Sequence, residues 1–249
     1  MPSYFITGSS RGIGFAIVVE LLKDPKNFVI ASARNPSASQ GLQDLASKYP
    51  KDRLALVTFD VSKPEQIEAA AKEVDQLAPK GLDYLINNAG ISYQALTTFD
   101  DLDLKLFEEE LVFNTVPLIR ILRAFKPLVV KSTEKKVLFI TSSLGSIQDA
   151  AGRPNLANAY SISKAALNML ARKWGAVNKS EGIISVLVHP GWVDTDLGQT
   201  IEPWLTAAVP GIKPLTVEDS AKGVVKVIQD AKMEDGVHFF NYDGTTIPF

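Results

Sequence analysis

The chain has no cysteine and only two histidines in 249 residues. Disulfides and thiolate chemistry are excluded, and a histidine-built zinc site lacks ligands, so no metal is expected. No stretch approaches the roughly 18 apolar residues of a membrane-spanning helix, and Met1-Pro2 passes straight into a strand-like run. No membrane partner and a cytoplasmic location are therefore expected. Net charge is −2 and no block of Lys or Arg stands out, which argues against nucleic acid as a partner. Repeats and low-complexity tracts are absent too. With 46% hydrophobic residues the chain can bury a full core, and 1–249 reads as one domain. Its chemistry must come from hydroxyls, amines, carboxylates or a cofactor.

Short apolar runs at 3–7, 28–33, 54–59, 82–86, 137–141, 184–188 and 237–241 alternate with helical patterns, which predicts a doubly wound α/β fold with a mainly parallel seven-stranded sheet. The first run breaks into Gly8-Ser9-Ser10-Arg11-Gly12-Ile13-Gly14 and then a helix. Gly8 permits the tight turn, Gly12 lets backbone approach a pyrophosphate, and Gly14 lets the helix pack on the strand, with helix N–H groups aimed at phosphates. Ser62-Lys63-Pro64-Glu65 reads as a capping box. Pro117, inside the helical run 102–130, predicts a kink or an unwound turn near Asn114.

In Asn158-Ala159-Tyr160-Ser161-Ile162-Ser163-Lys164, helical spacing puts a phenol and an ammonium on one face. The cation, joined by an oxidised nicotinamide, is expected to lower the phenol's pKa toward the range of general acid catalysis. Alone the pair could be an ordinary exposed helix. With the glycine turn it is far more specific.

Glycine spacing, Asn87-Asn88-Ala89-Gly90 and the Tyr160/Lys164 pair together resemble the short-chain dehydrogenase/reductase family. Within it, Ser143–Ile147, the run from His189 to Val193 and the chain ending are most similar to carbonyl reductases related to Sniffer and C-factor. The resemblance implies a reductase that turns apolar ketones or aldehydes into alcohols with NADPH/NADP+. Tyr160 would donate the proton, Lys164 tune it and hold the ribose, Ser142 fix the carbonyl, and Asn114 organise a water. Ser143 is the alternative to Ser142. Cofactor contacts are implied at Gly8, Ser10, Arg11, Gly12, Ile13, Gly14, Asp60, Val61, Asn87, Ala89, Gly90, Pro190, Gly191, Val193 and Thr195. Where an NAD enzyme usually carries an acid after the second strand, this chain has Arg34, which with Arg11 suits a ribose 2′-phosphate. Tyr93, Leu144, Ile147, Trp192, Leu197 and Trp204 are expected to wall the substrate pocket. The segment 149–156 would border it and 197–215 form a flexible lid. His189 reads as a strand-end residue and not a base. A homodimer is expected through helices 102–130 and 158–179, a tetramer being the alternative. The rival to an enzyme is a dinucleotide-binding sensor or signalling protein with little catalysis.

Overall fold

Alternation of apolar side chains along the strands builds two hydrophobic layers, one on each face of a sheet. The computed structural model describes all 249 residues, the side chain of Asp235 excepted. In chain order the main elements are β1 (Ser3–Ile6), α1 (Gly12–Leu22), β2 (Phe28–Ala33), α2 (Gln40–Lys48), β3 (Leu54–Thr58), α3 (Pro64–Leu77), β4 (Tyr84–Asn87) and α4 (Leu104–Lys131). They continue with β5 (Lys136–Ile140), α5 (Asn158–Asn178), β6 (Ile184–His189), α6 (Asp196–Gln199), α7 (Glu202–Ala208), α8 (Val217–Asp230) and β7 (Phe239–Asn241). The seven strands lie in the order β3-β2-β1-β4-β5-β6-β7, and every pairing is parallel. This is the doubly wound architecture expected from the sequence.

Tyr4, Ile6, Val29, Ala31, Leu138 and Ile140 join one core with Ile17 and Leu21 of α1 and Val224 and Ile228 of α8. The residues between them, Phe5, Ile30 and Phe139, enter a second core with Ile67 of α3, Phe125 of α4 and Leu167 of α5. A period of two with both faces apolar is what a helix-covered parallel sheet requires. Each fully buried Ile, Leu or Phe contributes roughly 1.5–3 kcal/mol. The frame is therefore β1, β4 and β5, buried at every position, while α7, with no buried residue, adds little to it.

Three local expectations meet a different arrangement. Ser62 and Glu65 form no capping box, because the Ser62 hydroxyl donates to Asp60 Oδ1 at 2.7 Å and Lys63 takes the N-cap without a side-chain bond. α4 runs unbroken through Pro117; the proline frees one carbonyl, and Leu118, Ile121 and Leu122 packed into the core hold the helix across it. The lid segment folds into α6 and α7, since Thr195 Oγ1 caps α6 by accepting the Gly198 N–H at 3.1 Å and a proline opens α7. Among the described residues no helix is long and apolar enough to cross a membrane, and no three His, Cys, Asp or Glu side chains gather as metal ligands would.

Candidate active site

The chain leaves β1 for β2 and β3 on one side and returns through β4 on the other, which opens a crevice at the carboxyl ends of β1 and β4. Asn88 spans it, its Nδ2 donating to Thr7 O at 2.9 Å and Gly8 O at 3.1 Å. The N–H groups of Asn88 and Ala89 donate to Thr7 Oγ1. Asn88 thus ties the end of β4 to the end of β1. Asn87 donates to Leu138 O and buries an Oδ1 with no partner among the described residues. Gly8 and Gly12 adopt left-handed φ values of 72° and 57°. Gly14 is needed for room, since a Cβ there would run into Gly8 O and lie 2.5 Å from Asn88 Nδ2. Arg11 occupies the N-cap of α1 without a side-chain bond, and the first turn holds no acid. The N–H groups of Gly12, Ile13 and Gly14 therefore present the positive end of the helix to the crevice, beside the exposed Ser10,.

The two arginines are not equivalent. Arg34, exposed just past β2, is close enough to Asp60 to act on its charge. Burial pushes the Asp60 carboxyl up, but Ser62, Lys63 and Arg34 outweigh it and leave it below its usual range. Val61 is buried beneath. Arg11 Nη1 instead pairs with Asp196 Oδ2 at 2.8 Å across an exposed gap. Thr195 comes down beside the glycine turn, since a Cβ on Gly12 would lie 3.6 Å from its Cγ2. Its loop is fixed by Ser220 Oγ donating to Pro190 O at 2.6 Å, by Gly191 at φ 88°, and by Val193 bridging to Leu215.

Tyr160 and Lys164 are both buried on α5, with Nζ 5.4 Å from the phenol ring centroid. Lys164 Nζ donates to Ile140 O at 3.1 Å, so the end of β5 sets its height. A Cβ on Gly90 would lie 3.4 Å from both Lys164 Nζ and Asn114 Oδ1, which brings the loop after β4, α4 and α5 to one point. Asn114 Nδ2 donates to Ile91 O and to Ser163 Oγ, each at 2.9 Å, and Oδ1 accepts the Ile91 N–H at 3.0 Å. Ser142 is buried at the end of β5, its Oγ accepting the Leu144 N–H at 3.2 Å. Its turn is pressed onto α5, because a Cβ on Gly145 would lie 2.8 Å from Lys164 C. Ser143 instead lines a cavity of about 520 Å³ with His189 and Trp192.

The Lys164 ammonium alone does not lower the phenol. Burial pushes Tyr160 well above its ordinary value and the charge of Glu110 adds to the rise. Burial also pulls Lys164 down to about 8, against the opposite pull of Glu110. At this separation and depth, desolvation outweighs the neighbouring cation. Tyr160 therefore stays protonated, the form a proton donor needs.

The short chain dehydrogenase family model matches residues 3–206. The chain belongs to the short-chain dehydrogenase/reductase family. An uncharacterised oxidoreductase of Schizosaccharomyces pombe is 34% identical over 252 residues, covering 99% of this chain and 97% of that one. NADPH-bound carbonyl reductase from chicken fatty liver superposes with a TM-score of 0.87 at 34% identity, over 100% of this chain and 99% of the other. Carbonyl reductase Sniffer of Drosophila melanogaster superposes with a TM-score of 0.88 at 27% identity over 100% of both chains. An oxidoreductase resembling carbonyl reductases is thus the coarse assignment.

Of the six residues expected to wall this oxidoreductase's pocket, Leu144, Leu197 and Trp204 pack against Leu156, Ala157 and Tyr160. The other three are not gathered there. Ile147 is 70% exposed, Trp192 lines the separate cavity and donates from Nε1 to Gly198 O, and the Tyr93 hydroxyl donates to Glu109 Oε1. His189 closes β6, and burial holds its imidazole down at about 4, so it is a neutral strand-end residue. Sequence reasoning missed Ser163, which donates to Tyr160 O and carries Asn114. It also missed Glu110. The signal was there: of Glu108, Glu109 and Glu110, only the last is one helical turn from Asn114.

Proposed function

We propose that this oxidoreductase reduces the carbonyl group of apolar ketones and aldehydes, using NADPH. The observation that carries the reading is the buried Tyr160 phenol over the Lys164 ammonium, next to the glycine turn and the strand ends. The crevice suits a phosphorylated dinucleotide: uncapped N–H groups for the pyrophosphate, an unpartnered Asn87 Oδ1, and Arg34 where an acid would favour an unphosphorylated ribose,. A bound NADPH would supply the hydride for the carbonyl carbon. The chain's own part is to hold the carbonyl oxygen with Ser142 and to pass it the Tyr160 proton as negative charge develops. Lys164, anchored on Ile140 O, keeps positive charge beneath the phenol and so eases the loss of that proton,. Asn114 ties the loop after β4 to α5 and holds the cluster together. The walls Leu144, Leu197 and Trp204 offer apolar surface, which favours aryl and alkyl carbonyls over charged keto acids.

A panel of ketones, aldehydes, quinones and keto acids, followed by loss of NADPH absorbance, tests this. Turnover of the apolar members with kcat/KM above the keto acids is expected. No oxidation with any member would favour the sensor, and a preference for keto acids would overturn the pocket assignment.

We also infer that the chain, 1–249, works as one domain and pairs as a homodimer. Val112, Val116 and Ile119 form an exposed apolar stripe along α4, and Ile162 and Met169 do so on α5,. Light scattering at micromolar concentration should read twice the chain mass. A monomer would refute the pairing.

A further inference from the structure

Glu110 is a charged side chain that the proton transfer described above leaves without a task. It is fully buried, at 0% exposure. Its Oε2 accepts the Tyr93 N–H at 2.8 Å, while Oε1 is buried with no hydrogen-bond partner among the described residues. A carboxylate in that state is costly unless a positive charge offsets it. Across the cluster the buried cation is Lys164, 2% exposed. The two helices that carry them meet where Asn114, one turn on from Glu110, and Lys164 both abut Gly90.

We propose that Glu110 is the counter-charge of Lys164, a positioning residue on α4 that keeps the ammonium protonated and so sets the alkaline limit of catalysis. The proposal rests on the reading that Tyr160 and Lys164 carry the proton transfer. The two groups make no direct ion pair, so the coupling acts through space in a low-dielectric interior. Burial leaves the Glu110 carboxyl raised, with the Tyr93 N–H and then the Lys164 charge opposing the rise, and the same attraction opposes the burial that brings Lys164 down to about 8. The other titratable groups around Glu110 are Tyr160 of α5, Tyr93 of the loop after β4, and the exposed Glu109 beside it.

A purely structural role, holding the Tyr93 N–H, is separable from the electrostatic one. Glu110→Gln keeps an oxygen for that bond and removes the charge, whereas Glu110→Asp keeps the charge. The readout is the titration of Lys164, followed by NMR of protein carrying ¹³Cε-labelled lysine, without cofactor or substrate. In Glu110→Gln the Lys164 midpoint should fall by about one pH unit, and in Glu110→Asp it should stay near that of the parent. The alkaline limb of kcat should move down by the same interval in Glu110→Gln. An unchanged midpoint in Glu110→Gln overturns the proposal. Should that variant not fold, the unaltered protein decides: the Lys164 signal must show a second, acidic inflection as Glu110 gains its proton, and its absence overturns the pairing. Full turnover by Tyr160→Phe would sink the functional reading instead, and leaves the titration of Lys164 as a separate result.

Discussion

Tyr160→Phe should lower turnover of a confirmed substrate by at least about 10²-fold, the scale of general acid catalysis. The phenol hydroxyl makes no hydrogen bond to the described residues, so nothing in the fold is left unpaired when it goes. The ring stays, packed with Leu156 and Ala157, and stability should change by less than about 0.5 kcal/mol. Cofactor affinity should be close to unchanged, because Lys164 and the glycine turn are untouched. Single-turnover reduction with the variant and the parent, at saturating NADPH, is the measurement. Equal rates would mean that the proton comes from elsewhere.

NADPH should be preferred over NADH by roughly 30- to 1000-fold in kcat/KM, and Arg34→Asp should erase or invert that preference. The cofactors differ by a phosphate, and a hydrogen bond between a guanidinium and such an anion contributes roughly 1.5–3 kcal/mol. Two or more such contacts, weakened by exposure and salt, leave a net of about 2–4 kcal/mol. Arg34 carries the larger part: it forms no ion pair among the described residues, whereas Arg11 must first leave Asp196. That exposed pair is weak, so the exchange costs little. An Asp at 34 would repel the phosphate and accept hydrogen bonds from free ribose hydroxyls. The test is the NADPH/NADH ratio in parent and variant at low and high salt. Equal use of both cofactors by the parent, or a ratio indifferent to the substitution, would reduce Arg34 to a solvated surface charge.

The glycine turn and the Tyr160/Lys164 spacing were legible in the sequence because each depends on residues close together in the chain. So was the doubly wound, seven-stranded parallel sheet, because apolar runs alternating with helical patterns leave few ways to wind one; the strand order itself came from the structure. Effects that depend on depth were not. Tyr160 beside a lysine reads as an acidified phenol in one dimension, yet burial reverses the sign. Glu110 carries a hint in its one-turn spacing from Asn114, but its complete burial shows only once α4 is seen to turn it inward. Arg11 reads as a free cation until α6 brings Asp196 to it. Trp192 and Ile147 stand apart from the Leu144, Leu197 and Trp204 cluster for a related reason: adjacency to a motif does not say which side of the loop a ring or a branched chain will take.

The start of α5 has a further consequence for how the protein opens. Ala157, at its N-cap, holds a left-handed φ of 51° and gives no side-chain cap, a conformation that costs a residue with a Cβ about 1–3 kcal/mol. It is held there from outside the helix: its N–H donates to Ala95 O at 2.6 Å and Asn158 Nδ2 donates to Thr97 O at 3.1 Å. In turn the Ser161 N–H donates to Ala157 O at 2.7 Å. The turn bearing Tyr160 is therefore expected to open together with the segment 95–97, while the rest of α5, buried through Leu167 and Ala171, should stay closed. Amide hydrogen exchange at Ser161 should report on that small cooperative unit, whose opening would displace Tyr160 without unfolding the sheet.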